Sequence, residues 1–303
     1  MIQTLKDLQS RFAIPGAVTF EEGPAGLLRA AVFSPHAEAT VYVQGAHVTH
    51  YRPSGQKPLL FMSSRSLFEP GKPLRGGVPI CFPWFGPRAE DPSAPLHGFA
   101  RIVPWTVEST SISADRSVTL VLTLQNGEES RRNWPFAFQS KYTVTVGPAL
   151  GLTLTVSNPG PEPFSFEEAL HTYLAVADVR EARITGLEGV TYIDKTDGLR
   201  RKIEHDAVLR ITGETDRPYL NTRGSIRIDD IAGGRRITVE KTDSLTTVVW
   251  NPWIAKAKAM PDFGDDEWTG MLCIETANAL ENSIMLPPGS SHTMGARISA
   301  EPV

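Results

Sequence analysis

A histidine and a glutamate, each set in or at the end of an apolar run, are the first residues in this chain that could do chemistry. His171 lies in FEEALHTYLAVAD (166–178), and Glu275 directly follows Leu272-Cys273-Ile274. Alternate side chains of a strand face opposite ways, so Cys273 and Glu275 share the face that Leu272 and Ile274 do not. A glutamate on the inner face of a sheet is costly unless it is paired or lines a cleft. A cleft raises a carboxyl above its reference pKa of about 4.3, toward general-base work near neutrality. His171, with a reference pKa of about 6.5, is the natural proton donor opposite it. Each also fits a plain structural role, as a hydrogen-bonded strand histidine and a solvated strand-end carboxylate. Their separation in sequence does not by itself bring them together.

Two arginines suit an anionic ligand. Arg75 precedes Gly76-Gly77, and Arg101 closes LHGFAR (96–101). Guanidinium forks match phosphate oxygens, and glycine lets a backbone approach a ligand closely. The plain alternative is two surface arginines that solvate a loop. Trp84, Phe85, Trp250 and Trp253 offer either an apolar platform for a sugar face or ordinary core. Other chemistries lack their signatures. No G-x-x-x-x-G-K-[ST] phosphate cradle and no G-x-S-x-G elbow is present, and neither cysteine has a plausible neighbouring base in sequence. His47 and His50 in HVTH are the closest histidine pair, and their odd spacing puts them on opposite faces of a strand, which disfavours a metal.

These residues are carried by strands. GLLRAAVFS (26–34), ATVYVQGAHVTHY (39–51), SVTLVLTLQ (117–125), QSKYTVTV (139–146) and LGLTLTVSN (150–158) are rich in β-branched and aromatic residues and are separated by turn formers. SIRIDDI (225–231) and RRITVEK (235–241) flank Ala232-Gly233-Gly234, a hairpin turn candidate. LTTVVWN (245–251), GMLCIETAN (270–278) and SSHTMGARIS (290–299) close the series. With no recurring helix between strands, the chain reads as all-β, one large antiparallel β-sandwich spanning 1–303. Ile2, Leu5, Leu8 and Phe12 recur at helical spacing, which places a short amphipathic helix outside it. Residues 62–104 are rich in Gly, Pro, Arg and aromatics and poor in strand pattern. A loop that long in a compact protein is functional or disordered, and its aromatics argue against disorder.

Composition sets the remaining bounds. Of 303 residues, 41% are apolar and 21% charged, enough for a sizeable core. A net charge of -4 gives no global basic field for nucleic acid, so any anion must be held by a local pocket. Two distant cysteines, Cys81 and Cys273, indicate a reducing, cytoplasmic compartment. The N-terminus has no signal-peptide pattern, and no run approaches the ~20 apolar residues of a membrane span.

Taken together, RGGVPICFPWFG, HGFAR, LHTYLAVAD, ETDRPY (214–219), VWNPW and CIETAN resemble the hexose-6-phosphate epimerases, or mutarotases, relatives of the aldose 1-epimerases. The resemblance runs from about Gly26 to Arg297, with the motifs in the family's order. It implies a galactose mutarotase-like supersandwich with its site in a cleft on one sheet, and interconversion of the α and β anomers of a hexose 6-phosphate, foremost glucose 6-phosphate, without cofactor. His171 matches the family's catalytic acid and Glu275 its base. Arg75 and Arg101 match substrate-contacting arginines, His97 a second active-site histidine, and Asp216 a binder of substrate hydroxyls. Leu96 stands where some members carry Gln, so a side-chain bond to substrate from that position is lost. The expected partner is a small-molecule sugar phosphate, with no nucleic acid or membrane, and the chain is expected to act as a monomer. Two rival readings remain: an epimerase of unphosphorylated aldoses, which has no need of paired guanidiniums, and a non-catalytic carbohydrate-binding or sensing protein, which has no need of the acid–base pair.

Overall fold

In the structure, a computed structural model, residues 3–88 and 90–303 are described. Ile2, the first member of the helical stripe, lies outside them. The helix Leu5–Phe12 is present and buries Leu8 and Phe12. Thr4 caps it by accepting from the Asp7 N–H, while the Asp7 carboxylate accepts from Thr4, a reciprocal capping box. Gln3 then pins the helix to the sandwich by exchanging two hydrogen bonds with the Val107 backbone.

Two eight-stranded sheets dominate, joined by a four-stranded and a two-stranded sheet, and every pairing between named strands is antiparallel. One large sheet runs Arg183–Thr185, Ile226–Asp230, Arg235–Thr242, Ser291–Pro302, Leu150–Ser157, Gln139–Val146, Val118–Gln125, Thr106–Ile112. Its inner strands Gln139–Val146 and Leu150–Ser157 alternate strictly, because one face meets the core and the other is less buried. The expected hairpin forms, with Ile226–Asp230 paired to Arg235–Thr242.

The second large sheet runs Arg200–Ile203, Thr191–Asp194, Thr215–Leu220, Thr246–Asn251, Met271–Asn278, Glu168–Leu170, Ile80–Cys81, and Tyr173–Ala175 also pairs with Met271–Asn278. Its central strands Thr246–Asn251 and Met271–Asn278 are buried at every residue. Side chains from the segment 62–104 reach this sheet, as Arg75 does to Tyr173 and His97 to His171. Among its described residues that segment holds one regular strand, Ile80–Cys81, and is otherwise tied down by single bridges such as Val48 to Val78 and Met62 to Gly76.

The run 39–51 is not one strand. It breaks into Ala37–Tyr42 and His47–Pro53 around Gly45 and Ala46, both with positive φ. Polar, unbranched Gln44-Gly45 interrupts the β-branched pattern there, and the turn folds the two halves onto each other.

Candidate active site

Strand register assembles the site. On the second sheet Asp216 pairs with Trp250, Trp250 with Cys273, and Cys273 with Tyr173. Directly opposed residues project to the same face, so these four form one row across the sheet. Two residues further along the strand, Glu275 projects to the same face. His171 sits where the facing strand is interrupted, between Glu168–Leu170 and Tyr173–Ala175. The pairings on either side, Leu170 with Thr276 and Tyr173 with Cys273, keep one register through the gap, which sets His171 opposite Glu275.

Their side chains meet. His171 Nε2 lies 3.3 Å from Glu275 Oε1, with both residues buried. The other polar atoms, His171 Nδ1 and Glu275 Oε2, have no hydrogen-bond partner among the described residues. Tyr173 stacks on the imidazole at 4.8 Å and 11°, and Trp250 meets it edge-on. Burial pushes Glu275 well above the usual carboxylate range, with Asp216 adding to it. Burial pushes His171 well below its usual value, with the charges of Arg101 and Arg75 adding to it.

The loop segment supplies the remaining groups. Arg75 is held on three sides: Nε and Nη2 reach Asp262 Oδ2 at 3.1 and 3.0 Å, and Nη1 donates to Tyr173 Oη at 3.1 Å. Burial opposes its charge, but Tyr173 and Asp262 outweigh it and keep the guanidinium protonated. Arg101 is different. It is buried, donates from Nη2 to the Leu96 carbonyl at 2.7 Å, leaves Nε without a partner, and has no carboxylate in ion-pair reach among the described residues. Burial lowers its pKa, and the like charge of Arg75 adds to that. Leu96 itself turns outward and is half exposed.

His97 packs its ring 5.8 Å from His171 and 4.9 Å from Phe85. Its Nδ1 accepts from the Gly86 N–H at 3.1 Å, so the ring proton sits on Nε2. Burial, reinforced by Arg101 and His171, keeps the ring neutral. Asp216 lies 3.5 Å from Lys195, and that ammonium also stands 4.8 Å over the Phe85 ring. Lys195, Tyr173 and Asp262 are site residues that sequence reasoning missed. Lys195 sits in an ordinary polar turn and Asp262 reaches Arg75 across 187 residues, so neither leaves a local signal.

Several expectations need correction. Cys273 does have neighbouring bases: one ligand atom each from His171, Cys273 and Glu275 lies within 4.8 Å of the others. Strand register, invisible from local sequence, brings them together. Gly76 and Gly77 do not make room for a ligand. A Cβ on Gly77 would meet the Val48 carbonyl at 2.2 Å, so that glycine serves close packing of the loop onto the four-stranded sheet. Of the tryptophans, Trp250 lines the site, Trp84 lies beneath Arg88, and Trp253 packs on Trp268. His47 is buried against the Gly76 carbonyl with its pKa pushed down to about 4 by burial, while His50 reaches Glu38, so the two point apart as their spacing requires.

Residues 33–299 match the Aldose 1-epimerase family. A protein from Cenchrus ciliaris is 36% identical over 272 residues, covering 87% of this chain and 82% of its own. One from Escherichia coli is 35% identical over 258 residues, covering 85% of each. Both carry the provisional name glucose-6-phosphate 1-epimerase. A solved Salmonella typhimurium structure, described as a provisional mutarotase, superposes with a TM-score of 0.90 at 30% identity over 97% of this chain and 96% of its own. A Synechocystis protein at 20% identity and a TM-score of 0.78 speaks for the fold alone. With the match running through nearly every strand that builds the site, the chain belongs to the aldose 1-epimerase family.

Proposed function

We propose that this protein interconverts the α and β anomers of a hexose 6-phosphate, glucose 6-phosphate foremost, with Glu275 as general base and His171 as general acid. The observation that carries the reading is the buried His171–Glu275 pair at 3.3 Å, set opposite each other by register and each with an unpartnered polar atom. Ionised Glu275 takes the proton from the anomeric hydroxyl. Protonated His171 gives one to the ring oxygen O5 as the C1–O5 bond breaks. The open aldehyde turns about C1–C2 and recloses from its other face with the proton roles reversed. Only protons move between protein and sugar, and positioned acid–base groups typically contribute ~100–10,000-fold each.

Neighbouring groups have matching roles. His97, neutral with its proton on Nε2, donates a hydrogen bond to a sugar oxygen. Asp216 accepts from a sugar hydroxyl, and Trp250 and Phe85 offer apolar edges. Arg101 favours a phosphorylated over a free sugar, because a buried guanidinium without a carboxylate is costly until an anion arrives. Arg75, already neutralised by Asp262, adds aimed N–H groups more than charge. The relatives' provisional name agrees with this substrate.

NMR exchange spectroscopy of the anomeric signals tests the reading. Purified protein should speed exchange of glucose 6-phosphate far more than that of free glucose. Exchange no faster than buffer for both sugars would refute the activity, and equal acceleration would refute the phosphate preference.

A further inference from the structure

We propose that His171, Cys273 and Glu275 form a site for a thiophilic divalent cation of the zinc or cadmium class, whose binding shuts the acid–base pair off. Imidazole nitrogen, thiolate sulfur and carboxylate oxygen are the donors such ions take, and here one of each converges within 4.8 Å. Part of the geometry is already set. Two nitrogen or oxygen ligands about 2.0–2.1 Å from a tetrahedral ion stand about 3.3 Å apart. His171 Nε2 and Glu275 Oε1 are 3.3 Å apart. Cys273 shares a strand and a face with Glu275, and bringing its sulfur from within 4.8 Å to ligand distance takes an adjustment on the order of 1 Å.

The surroundings favour capture. Glu275 Oε2 and His171 Nδ1 have no partner among the described residues, so the contact an ion must replace is the His171–Glu275 pair itself. All three side chains are buried, and a cation held there would stay sheltered from competing water. Two costs oppose it: the positive charges of Arg101 and Arg75 act on the same pair, and burial, with Glu275 adding to it, keeps the Cys273 thiol protonated, so metal binding must release that proton. Three protein ligands leave a fourth position open. An ion held this way occupies both groups that carry protons in the proposed reaction, yet its binding is readable without any sugar, so the two proposals fail separately.

Cadmium titrated into the purified protein without sugar provides the test, followed by the ultraviolet charge-transfer band of a cadmium–thiolate bond. The expected result is one ion per chain with that band, anomer exchange at least ~10-fold slower, and recovery with a chelator. Cys273→Ser should lose the band and, measured against its own exchange rate without metal, need at least ~10-fold more cadmium for inhibition. Cys273→Ala should do the same where the serine hydroxyl disturbs packing. Cys81→Ser, the change at the other cysteine, should keep the band. No band with the unmodified chain, a band that survives Cys273→Ser and vanishes with Cys81→Ser, or unchanged cadmium sensitivity in both Cys273 variants would overturn the site.

Discussion

Replacing Arg101 by methionine should weaken substrate binding and leave the fold intact or firmer, and the pairing of those two signs is the test. Arg101 is 7% exposed, and among the described residues its side chain makes one hydrogen bond, to the Leu96 carbonyl. Methionine keeps the apolar stem that packs there and removes the charge. The carbonyl left behind belongs to a residue that is 50% exposed, so water can replace the lost donor. In the empty protein the change deletes a buried cation without a carboxylate, a group that costs stability. With sugar phosphate bound, it deletes a charge-assisted hydrogen bond worth about 1.5–3 kcal/mol. At about 1.4 kcal/mol per tenfold, KM for glucose 6-phosphate should rise roughly 10- to 150-fold. Exchange NMR at several substrate concentrations gives KM, and a thermal melt of the same preparation gives stability. A lower melting temperature with unchanged KM would mean that Arg101 only braces the loop through Leu96, and the phosphate assignment would fall.

Three further outcomes follow from named groups. Glu275→Gln keeps the shape of the buried carboxyl and removes its basicity. It should cut kcat at least ~100-fold with no loss of thermal stability, and near-normal exchange by the variant would end the proposed mechanism. Lys241 donates to Thr222, Ser244 and Thr247 and has no carboxylate partner among the described residues, and burial pushes its pKa down to about 7. A lysine lowered on folding binds fewer protons than in the unfolded chain between about pH 7 and 10.5, so its penalty is full below pH 7 and fades as pH rises. Lys241→Met should therefore stabilise by on the order of 1–3 kcal/mol at pH 6, with the gain shrinking toward pH 10, and an equal melting-temperature difference at both pH values would contradict this. His292 is raised by its bond to Glu168, whose carboxylate lies 3.1 Å away, with Asp243 adding to it. That ion pair should contribute fully below about pH 6.5 and be lost as pH climbs through the raised value; chemical denaturation of His292→Gln should show a weaker alkaline decline than the parent chain.

What the sequence revealed divides along local and non-local lines. Strand patterning is local, so the alternating Gln139–Val146 and Leu150–Ser157 and the β-branched, wholly buried Thr246–Asn251 could be read almost to the residue. Alternation also placed Cys273 and Glu275 on one face, as the pairing with Trp250 and Val248 bears out. Thr215–Leu220 was legible as a motif but not as a strand, because Pro218 normally disqualifies a central strand. The pairing of His171 with Glu275 could not be read from either segment. It depends on a register carried across a strand break, and the resemblance to a family supplied it. Lys195 and Asp262 had no comparable signal, since each matters only through a partner that the fold brings from elsewhere.

The electrostatics of the empty site and the proposed reaction fit together once the pair is counted as a unit. Burial favours neutral imidazole and protonated carboxyl, the reverse of the charged forms the first step needs. Both arrangements hold one proton between the same two residues, so no proton has to enter from solvent to pass from one to the other. A pair this close titrates as one system, and its two apparent pKa values bound the pH range in which the single proton is present. Burial is the larger cause of the preference for neutral forms, and the surrounding charge adds to it. Arg101 and Arg75 hold His171 down, while Asp216 holds Glu275 up. A phosphate dianion beside the guanidiniums offsets the first influence, and a sugar hydroxyl donating to Asp216 screens the second. The first raises His171 but, because Arg101 also lowers Glu275, raises the carboxyl too, so it is the second that frees Glu275 to ionise. The phosphate thus helps His171 to hold a proton and the hydroxyl on Asp216 helps Glu275 to lose one, so acid and base are prepared by different parts of one substrate.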